Sequence, residues 1–340
     1  MSTDNQSRAF DLSIIIVNWN SRDFVRQCLR SIYTHAGAMQ CEVIVVDNAS
    51  NDGCEQMVES EFPQTVFIQT GKNIGFARAN NVAFAQSRGR NVLFLNPDTE
   101  VKANALQNLV RALESIPTAG MVGARLLNSD LTLQTTCVTS VPSVLNQALN
   151  ADYLRKTFPR WRAWGMRPLF DNNGVPVPVE AISGACMCAR RDVIEAIGAF
   201  TTDYFMYSED MDLCLKVAKS GWSIYYVPDA AIVHHAAGSS SSRKESNFSS
   251  IMLHESVLRF MELHRGSSYA TLYRATTALK ACCRILLLTL CLPIAVRKQS
   301  REFIRRAFSK WSAILVWSLG LNLWANAQVH AATRRSEGQA

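Results

Sequence analysis

The chain has 340 residues, 48% of them hydrophobic, enough to bury a sizeable core in one large domain or two ordinary ones. Its polar start, Met1 to Arg8, has no apolar signal-peptide core, so export is not expected. Ten cysteines scattered mostly through apolar stretches argue against a disulfide framework and for reduced thiols in a cytosolic core.

Leu12 to Val17 reads as a fully buried strand. A helix follows over Arg22 to Tyr33, with Phe24, Val25, Cys28, Leu29 and Ile32 on one face. Glu42 to Val46 is a second buried strand ending at Asp47. Gly53 to Phe62 is a short helix and Val66 to Ile68 a weaker strand. Gly75 to Ser87 is a helix with Phe76, Ala79, Ala83 and Phe84 inward, and Val92 to Leu95 is the fourth strand. Strands alternating with helices predict an α/β fold, a mostly parallel sheet with helices on both faces.

From residue 126 to 178 the periodicity weakens, and five prolines accompany Trp161 and Trp164. This reads as a long irregular insertion that covers a site or touches a membrane. Regular structure resumes over Val179 to Ala189. Helices follow near Asp192 to Ile197 and Asp210 to Lys219, the latter stopped at Gly221. Trp222 to Val227 is a strand, followed by Pro228 and the pair His234-His235. Gly238 to Ser242 is a Ser-rich loop, and helices fill the remainder. Cys186-Met187-Cys188 fits alternation along a strand better than a metal or redox motif.

Two common nucleotide signatures are missing. The first strand leads into Asn18-Trp19-Asn20-Ser21 rather than a glycine-rich dinucleotide turn, and no Walker-type loop appears. Polar groups gather at strand ends instead: Asn18 and Asn20, then Asp47 and Asn48, then Lys72, Asn73 and Gly75, then Asn96 and Asp98. Parallel strands bring these to one edge of the sheet, where ligands of open α/β sheets bind. Asp47 to Gly53 alone suits a capped turn, and Asp98 alone suits the cap of a helix starting near Val101. Four coincident strand ends favour a site, with Asp47 on a base or ribose and Asp98 holding a divalent cation against a phosphate.

Ser208 to Asp212 is a second acidic cluster. Ser208 has the character of an N-cap, which places Glu209, Asp210 and Asp212 in a first helical turn. Acids there stabilise the helix dipole. The functional alternative is a general base kept ionised by that dipole. Glu209 and Asp212 share a face, so Asp210 points elsewhere, into the site, with the other two supporting it. His234 or His235 would complete a divalent site, and imidazole suits Mn²⁺ better than Mg²⁺.

Together these segments resemble the family 2 glycosyltransferases of GT-A fold, particularly rhamnosyltransferase-like members. The matching pieces are Ser13 to Asn20, Val43 to Gly53, Gly71 to Asn81, Leu93 to Asp98, Ser208 to Asp212 and Val233 to His235, in order over about residues 11–240. The resemblance implies that Asp47 contacts the nucleotide base or ribose, and that Asn18, Asn20, Asn73 and Gly75 line the nucleotide-sugar pocket. Asn96-Pro97-Asp98 stands where many relatives carry Asp-x-Asp, so Asp98 and His234 would bind the metal, Mg²⁺ or Mn²⁺, and Asp210 would be the catalytic base. The implied reaction is inverting sugar transfer, with rhamnose from a dTDP donor onto a glycan or lipid-linked acceptor for cell-surface polysaccharide. The alternatives are a UDP-hexose or UDP-galactofuranose donor on the same fold, or a non-catalytic sugar-nucleotide or membrane-binding protein. Residues 11–265 would form the transferase domain, with the 126–178 insertion on the acceptor side.

The net charge of +7 is unevenly placed: from Ala270 onward eleven Lys/Arg face two Glu, +9, leaving −2 for the rest. Such asymmetry points to nucleic acid or an anionic membrane surface. Cys282 to Val296 and Trp311 to Val329 are apolar stretches flanking Arg297, Lys298, Arg301, Arg305 and Arg306. A spanning hairpin would place this basic loop opposite a domain that uses cytoplasmic donors, against the bias of basic loops toward the cytoplasm. Residues 270–335 are therefore read as a basic amphipathic helical tail lying in the interface of an anionic membrane. A helical subdomain packed on the core is the soluble alternative. Nucleic acid ranks last, because no known module accompanies the charge. The expected location is cytoplasmic, peripheral on the inner face of the plasma membrane.

Overall fold

Alternating strands and helices organise most of the chain. A computed structural model describes residues 9–149, 152–171, 174–204, 206–235, 247–292 and 298–321. The expected Ser-rich loop at Gly238 to Ser242 and residues 293–297 and 322–335 of the expected tail lie outside these. The chain divides into two units: Met1–Val141 with Thr157–Thr201 and Glu209–Ser242, and Pro142–Lys156 with Thr202–Ser208 and Arg243–Ala340.

In chain order the elements are β1 (Phe10–Asn18), α1 (Arg22–His35), β2 (Cys41–Asp47), α2 (Cys54–Glu61), β3 (Val66–Gln69), α3 (Phe76–Gln86), β4 (Gly89–Leu95), β5 (Thr99–Val101), α4 (Ala105–Ser115), β6 (Ala119–Leu127), β7 (Val138–Thr139), α5 (Val144–Leu149), α6 (Asp152–Thr157), β8 (Val177–Val179), β9 (Ala181–Ile182), β10 (Cys186–Arg190), α7 (Arg191–Ile197), α8 (Glu209–Lys219), β11 (Ser223–His234), α9 (Asn247–Arg265), α10 (Ser267–Cys291) and α11 (Lys298–Ser318).

In the first unit a nine-stranded sheet runs β3-β2-β1-β4-β10-β6-β11-β5, with β8 also on β11. β1, β2, β3, β4, β6 and β11 share one direction, and β5, β8 and β10 run against them. The parallel block is β3-β2-β1-β4, as the apolar runs imply. Leu12, Ile14, Ile15 and Ile16 are all completely buried because β1 is covered on both faces. Ile15, Val17, Val92, Phe94 and Met187 face α3, α7 and α8. Alternation sends Ile14, Ile16 and Leu93 to the other face, where α1 and α4 lie. Phe94 anchors the first layer, with the ring of Phe200 set edge-on at 4.8 Å, a geometry that adds about 1 kcal/mol to the area it buries.

Two departures from the expected elements shape the site. The residues after Asp98 form β5, and the helix begins only at Ala105, behind Asn104 at its N-cap. Asp98 therefore caps no helix. β11 also does not stop at Val227. It runs through Pro228 to His234, with a register irregularity between Val227 and Ala231 where the missing proline N–H is accommodated. The weakly periodic stretch holds short helices, β7 and β8. Trp164 in it is buried and donates its indole N–H to Phe158 O at 3.0 Å.

In the second unit α9, α10 and α11 pack on one another and α5 packs on α10. His254 Nδ1 and Tyr273 Oη lie 2.6 Å apart, and Trp317 Nε1 donates to Glu255 Oε2 at 2.7 Å.

Candidate active site

The ends of β1, β2 and β3 form one connected polar edge. Asn18 and Asp47 are paired in register, and Asn18 Nδ2 donates to Asp47 Oδ1 at 2.7 Å. Asp47 Oδ2 accepts from Ser50 N at 2.8 Å and Gln69 Nε2 at 2.9 Å. Asn20, in the left-handed region at φ 52, caps the Asn51 N–H with its Oδ1. The Asp47 side chain is thus oriented by three donors. A cavity of about 400 Å³ opens beside it, lined by Asp47, Ser50, Asn51, Gly53, Gln56 and Gln69 among others.

Asn73 and Gly75 shape the entry to α3. Asn73 Oδ1 accepts the Gly75 N–H at 3.0 Å, and Asn48 Nδ2 donates to Gly75 O at 3.2 Å. Gly75 adopts φ 84, ψ 168, a conformation essentially reserved for glycine. Asn73 therefore holds the backbone that begins the helix.

Asp47, Asp52 and Cys54 form a compact donor cluster near the cavity, but its chemistry suits a cation poorly. Asp52 already accepts Arg22 N and Cys54 N, and burial pushes the Cys54 thiol up to about 12, so it stays protonated.

The second group forms where β4 ends. The antiparallel register of β5 and β11 sets Thr99 opposite His234, and His235 N donates to Asp98 O at 2.9 Å. This brings His234 Nε2 to 3.4 Å from both Asp98 Oδ1 and Asn96 Nδ2. Asp98 is nearly buried, with 8% of its surface exposed. On its other side His234 Nδ1 lies 2.8 Å from Gln134 Oε1, which can only accept. A proton therefore sits on Nδ1, and Nε2 is turned toward Asp98. A carboxylate and an imidazole nitrogen converging on one point fit a divalent cation completed by ligand oxygens. His235 is turned away from this point, onto Glu100 Oε1 and Ser129 Oγ, both at 2.9 Å.

The third group opens α8. Asp210 Oδ2 accepts the Gly184 N–H at 3.0 Å and Oδ1 the Met211 N–H at 2.8 Å. The next residue of that loop, Ala185, accepts the Asn96 N–H at 3.1 Å. Residues 184–185 thus tie the acid on α8 to the strand end that carries Asp98. Asp212 is buried and accepts from Thr201 Oγ1 at 2.5 Å. Glu209 Oε2 is buried with no hydrogen-bond partner among the described residues.

The helix dipole does not lower the Asp210 pKa. Burial pushes the carboxyl up, and the amides of Gly184 and Met211 offset this only in part. Glu209 is raised as well, first by burial and then by the neighbouring Asp210 charge. Ser208 also lacks the extended backbone of an N-cap. It and Tyr207 both have positive φ, 64 and 70. Sequence reasoning missed Gln134, Gly184, Ser50 and Gln69. Gln69 is the last residue of β3 and obeys the same strand-end rule as Asp47. Gln134 lies in the weakly periodic stretch and has no such signal.

A model of the family described as glycosyl transferase family 2 matches residues 13–198. An N-acetylglucosaminyl-diphospho-decaprenol L-rhamnosyltransferase of Mycobacterium tuberculosis is 28% identical over 270 residues, covering 75% of this chain and 85% of that one. Rhamnosyltransferase WbbL of Escherichia coli is 26% identical over 239 residues, covering 66% and 83%. Among solved structures, a mannosyltransferase from Pyrobaculum calidifontis, in complex with GDP-Man and Mn²⁺, shares the fold. Its TM-score is 0.54 at 18% identity, over 95% of this chain and 90% of that one.

Proposed function

The chain belongs to glycosyl transferase family 2, and from that premise we propose an inverting, metal-dependent transferase. It moves a sugar, rhamnose from dTDP-rhamnose, onto a glycan or lipid-linked acceptor in cell-surface polysaccharide synthesis. The observation that carries this reading is the convergence of Asp98 and His234 Nε2 beside Asn96, at the carboxyl end of the parallel block. The named activities of the two relatives support rhamnose. The decaprenol in the first name supports a lipid-linked acceptor.

In this reading the cavity beside Asp47 takes the base and ribose, with Asn18 and Gln69 fixing the carboxylate. Asn20, Asn73, Gly75 and Asn96 line the path toward the diphosphate. Asp98 and His234 would hold Mg²⁺ or Mn²⁺, which supplies Lewis-acid neutralisation of charge on the departing diphosphate. Asp210 accepts the proton of the acceptor hydroxyl as that oxygen bonds to the anomeric carbon from the opposite face. The bond to the diphosphate breaks, and its electron pair leaves with the phosphate oxygen. Gly184 aims Asp210, while Glu209 and Asp212 support it. Residues 11–265 carry the transfer, with 126–178 on the acceptor side, and residues 270–335 attach the enzyme to the cytoplasmic face of the membrane. Among the described residues no helix is long and apolar enough to cross a membrane.

The test is a panel of dTDP-, UDP- and GDP-sugars with Mn²⁺ or Mg²⁺, read by thermal stabilisation and then by turnover. Stabilisation by dTDP-rhamnose above the rest, with turnover lost in Asp98→Ala and Asp210→Asn, is the expected result. Preference for a UDP-hexose or UDP-galactofuranose moves the donor assignment. Undiminished turnover in Asp210→Asn removes the base.

A further inference from the structure

Helix α10 has two apolar sides. Ala270, Tyr273, Thr277 and Ala281 are buried within the second unit, and that side is pinned by the contact of Tyr273 with His254. On the opposite side Leu272, Leu279, Leu286 and Leu290 recur at helical spacing and are 51%, 66%, 60% and 61% exposed. This stripe extends for about 27 Å along the axis at 1.5 Å per residue. It continues in Leu287, Cys282 and Cys283, all exposed. An uncovered apolar stripe of this length on an already packed helix marks a surface that meets something else.

The surrounding charge says what. No acidic residue lies between Ser267 and Cys291, whereas Arg274, Lys280 and Arg284 do. Arg274 and Arg284 reach over the rings of Trp317 and Trp311 on α11. α11 itself adds Arg301, Arg305, Arg306 and Lys310 against Glu302, and exposes Phe303 on the same side as Arg306 and Lys310. The exposed leucine face of α10 and the basic α11, with its exposed Phe303 and Phe308, together complement the interface of an anionic bilayer, where acyl chains meet negative head groups.

We propose that the outer face of α10 is the membrane-docking surface. The helix lies in the plane of an anionic leaflet, with Leu279, Leu286 and Leu290 at the acyl boundary and the cations of α11 on phosphate head groups. This deepens the reading of a peripheral enzyme and names the element that carries it. It also accounts for the paired thiols, since Cys282 and Cys283 sit on the immersed side.

The test uses the full chain with vesicles of phosphatidylcholine alone or with phosphatidylglycerol added. The expected result is flotation on the mixed vesicles, weakened by salt, and reduced roughly tenfold or more in Leu279→Gln/Leu286→Gln. The variant should unfold at the wild-type temperature, since both side chains are exposed. In the unmodified chain, Cys282 and Cys283 should lose reactivity toward a charged maleimide when mixed vesicles are added. Flotation unchanged in the double variant, or thiols equally reactive with and without vesicles, overturns the proposal. So does a dimer in light scattering that the double variant dissolves while wild type fails to float, because the occupant is then a second copy. Asp210→Asn should float like wild type, so failure of the catalytic reading is separately visible.

Discussion

Asp210 hangs from the backbone of Gly184. Its Oδ2 accepts the Gly184 N–H at 3.0 Å, and a Cβ at residue 184 would lie 3.1 Å from Asp210 Cβ and 3.3 Å from Oδ2. A side chain here would press on the acid, and the hydrogen bond that glycine's close approach permits aims the carboxylate. Because Ala185 O holds the Asn96 N–H, the same loop registers the acid against the strand end bearing Asp98.

Gly184→Ala should misplace Asp210 without removing it. The contact is tight enough that the acid must give by a few tenths of an ångström. Positioning losses of this kind cost up to about 100-fold in rate. The expected outcome in steady-state kinetics is a fall in kcat of roughly 10- to 100-fold, with KM for the donor little changed. An unaltered kcat would mean that the Gly184 contact has no part in catalysis.

Glu209 and Asp210 should titrate as a pair. Burial raises both, and the Asp210 charge raises Glu209 further. A base must be ionised to accept a proton, so the rising limb of kcat/KM should lie above the ordinary carboxylate range. Glu209, raised further by the Asp210 charge, is still protonated when Asp210 ionises, so Glu209→Gln should leave that limb in place and preserve turnover. Turnover abolished as in Asp210→Asn would make Glu209 the base instead. Stability has a definite sign. A carboxyl raised on folding contributes stability that is full below its unfolded pKa and is lost as pH rises through the folded value. Glu209→Gln lacks this loss, so its Tm advantage over wild type should grow with increasing pH.

The strands of the parallel block were legible because burial on both faces leaves unbroken apolar runs, as in Leu12 to Val17 and Val92 to Leu95. β5 was not. Thr99, Glu100 and Val101 are too few for a period, and Asn96-Pro97-Asp98 has the composition of a capped turn. What makes β5 a strand is β11, more than a hundred residues later. The same long-range pairing juxtaposes Asp98 and His234, which no local pattern specifies. Pro228 concealed the length of β11, because an irregularity absorbs the missing donor. The dipole at the start of α8 was visible in the sequence. The burial that overrides it was not, because it comes from the fold around the helix.

Gln134 should govern metal affinity from outside the coordination sphere. Its Oε1 accepts from His234 Nδ1 at 2.8 Å, and its own Nε2 is fixed by Asn128 Oδ1 at 3.2 Å. Gln134→Leu removes the acceptor and frees the ring, so Nε2 is no longer held toward Asp98. Such changes cost about 10- to 100-fold in metal affinity. Mn²⁺ titration followed by electron paramagnetic resonance should show that loss in Gln134→Leu and near-wild-type binding in Gln134→Glu, which keeps an acceptor. Equal affinity in all three proteins would show that His234 is not a ligand.

Asp47→Asn should separate nucleotide recognition from chemistry. Both Asp47 oxygens accept hydrogen bonds, from Asn18, Ser50 and Gln69. An amide in that place sets an NH₂ against at least one of these donors, leaving a buried polar group unpaired at a cost of about 1–3 kcal/mol. In a domain of this size that lowers Tm by roughly 2–4 °C per kcal/mol. The site is remote from Asp98, His234 and Asp210 along the sheet order, with β1 between β2 and β4. The loss should therefore fall on donor binding: KM for the nucleotide sugar rises roughly tenfold or more, while kcat at saturation changes little. The free nucleoside diphosphate should weaken as an inhibitor by the same factor. If kcat falls instead and inhibition by the diphosphate is unchanged, Asp47 does not face the nucleotide, and the cavity beside it is not the base pocket.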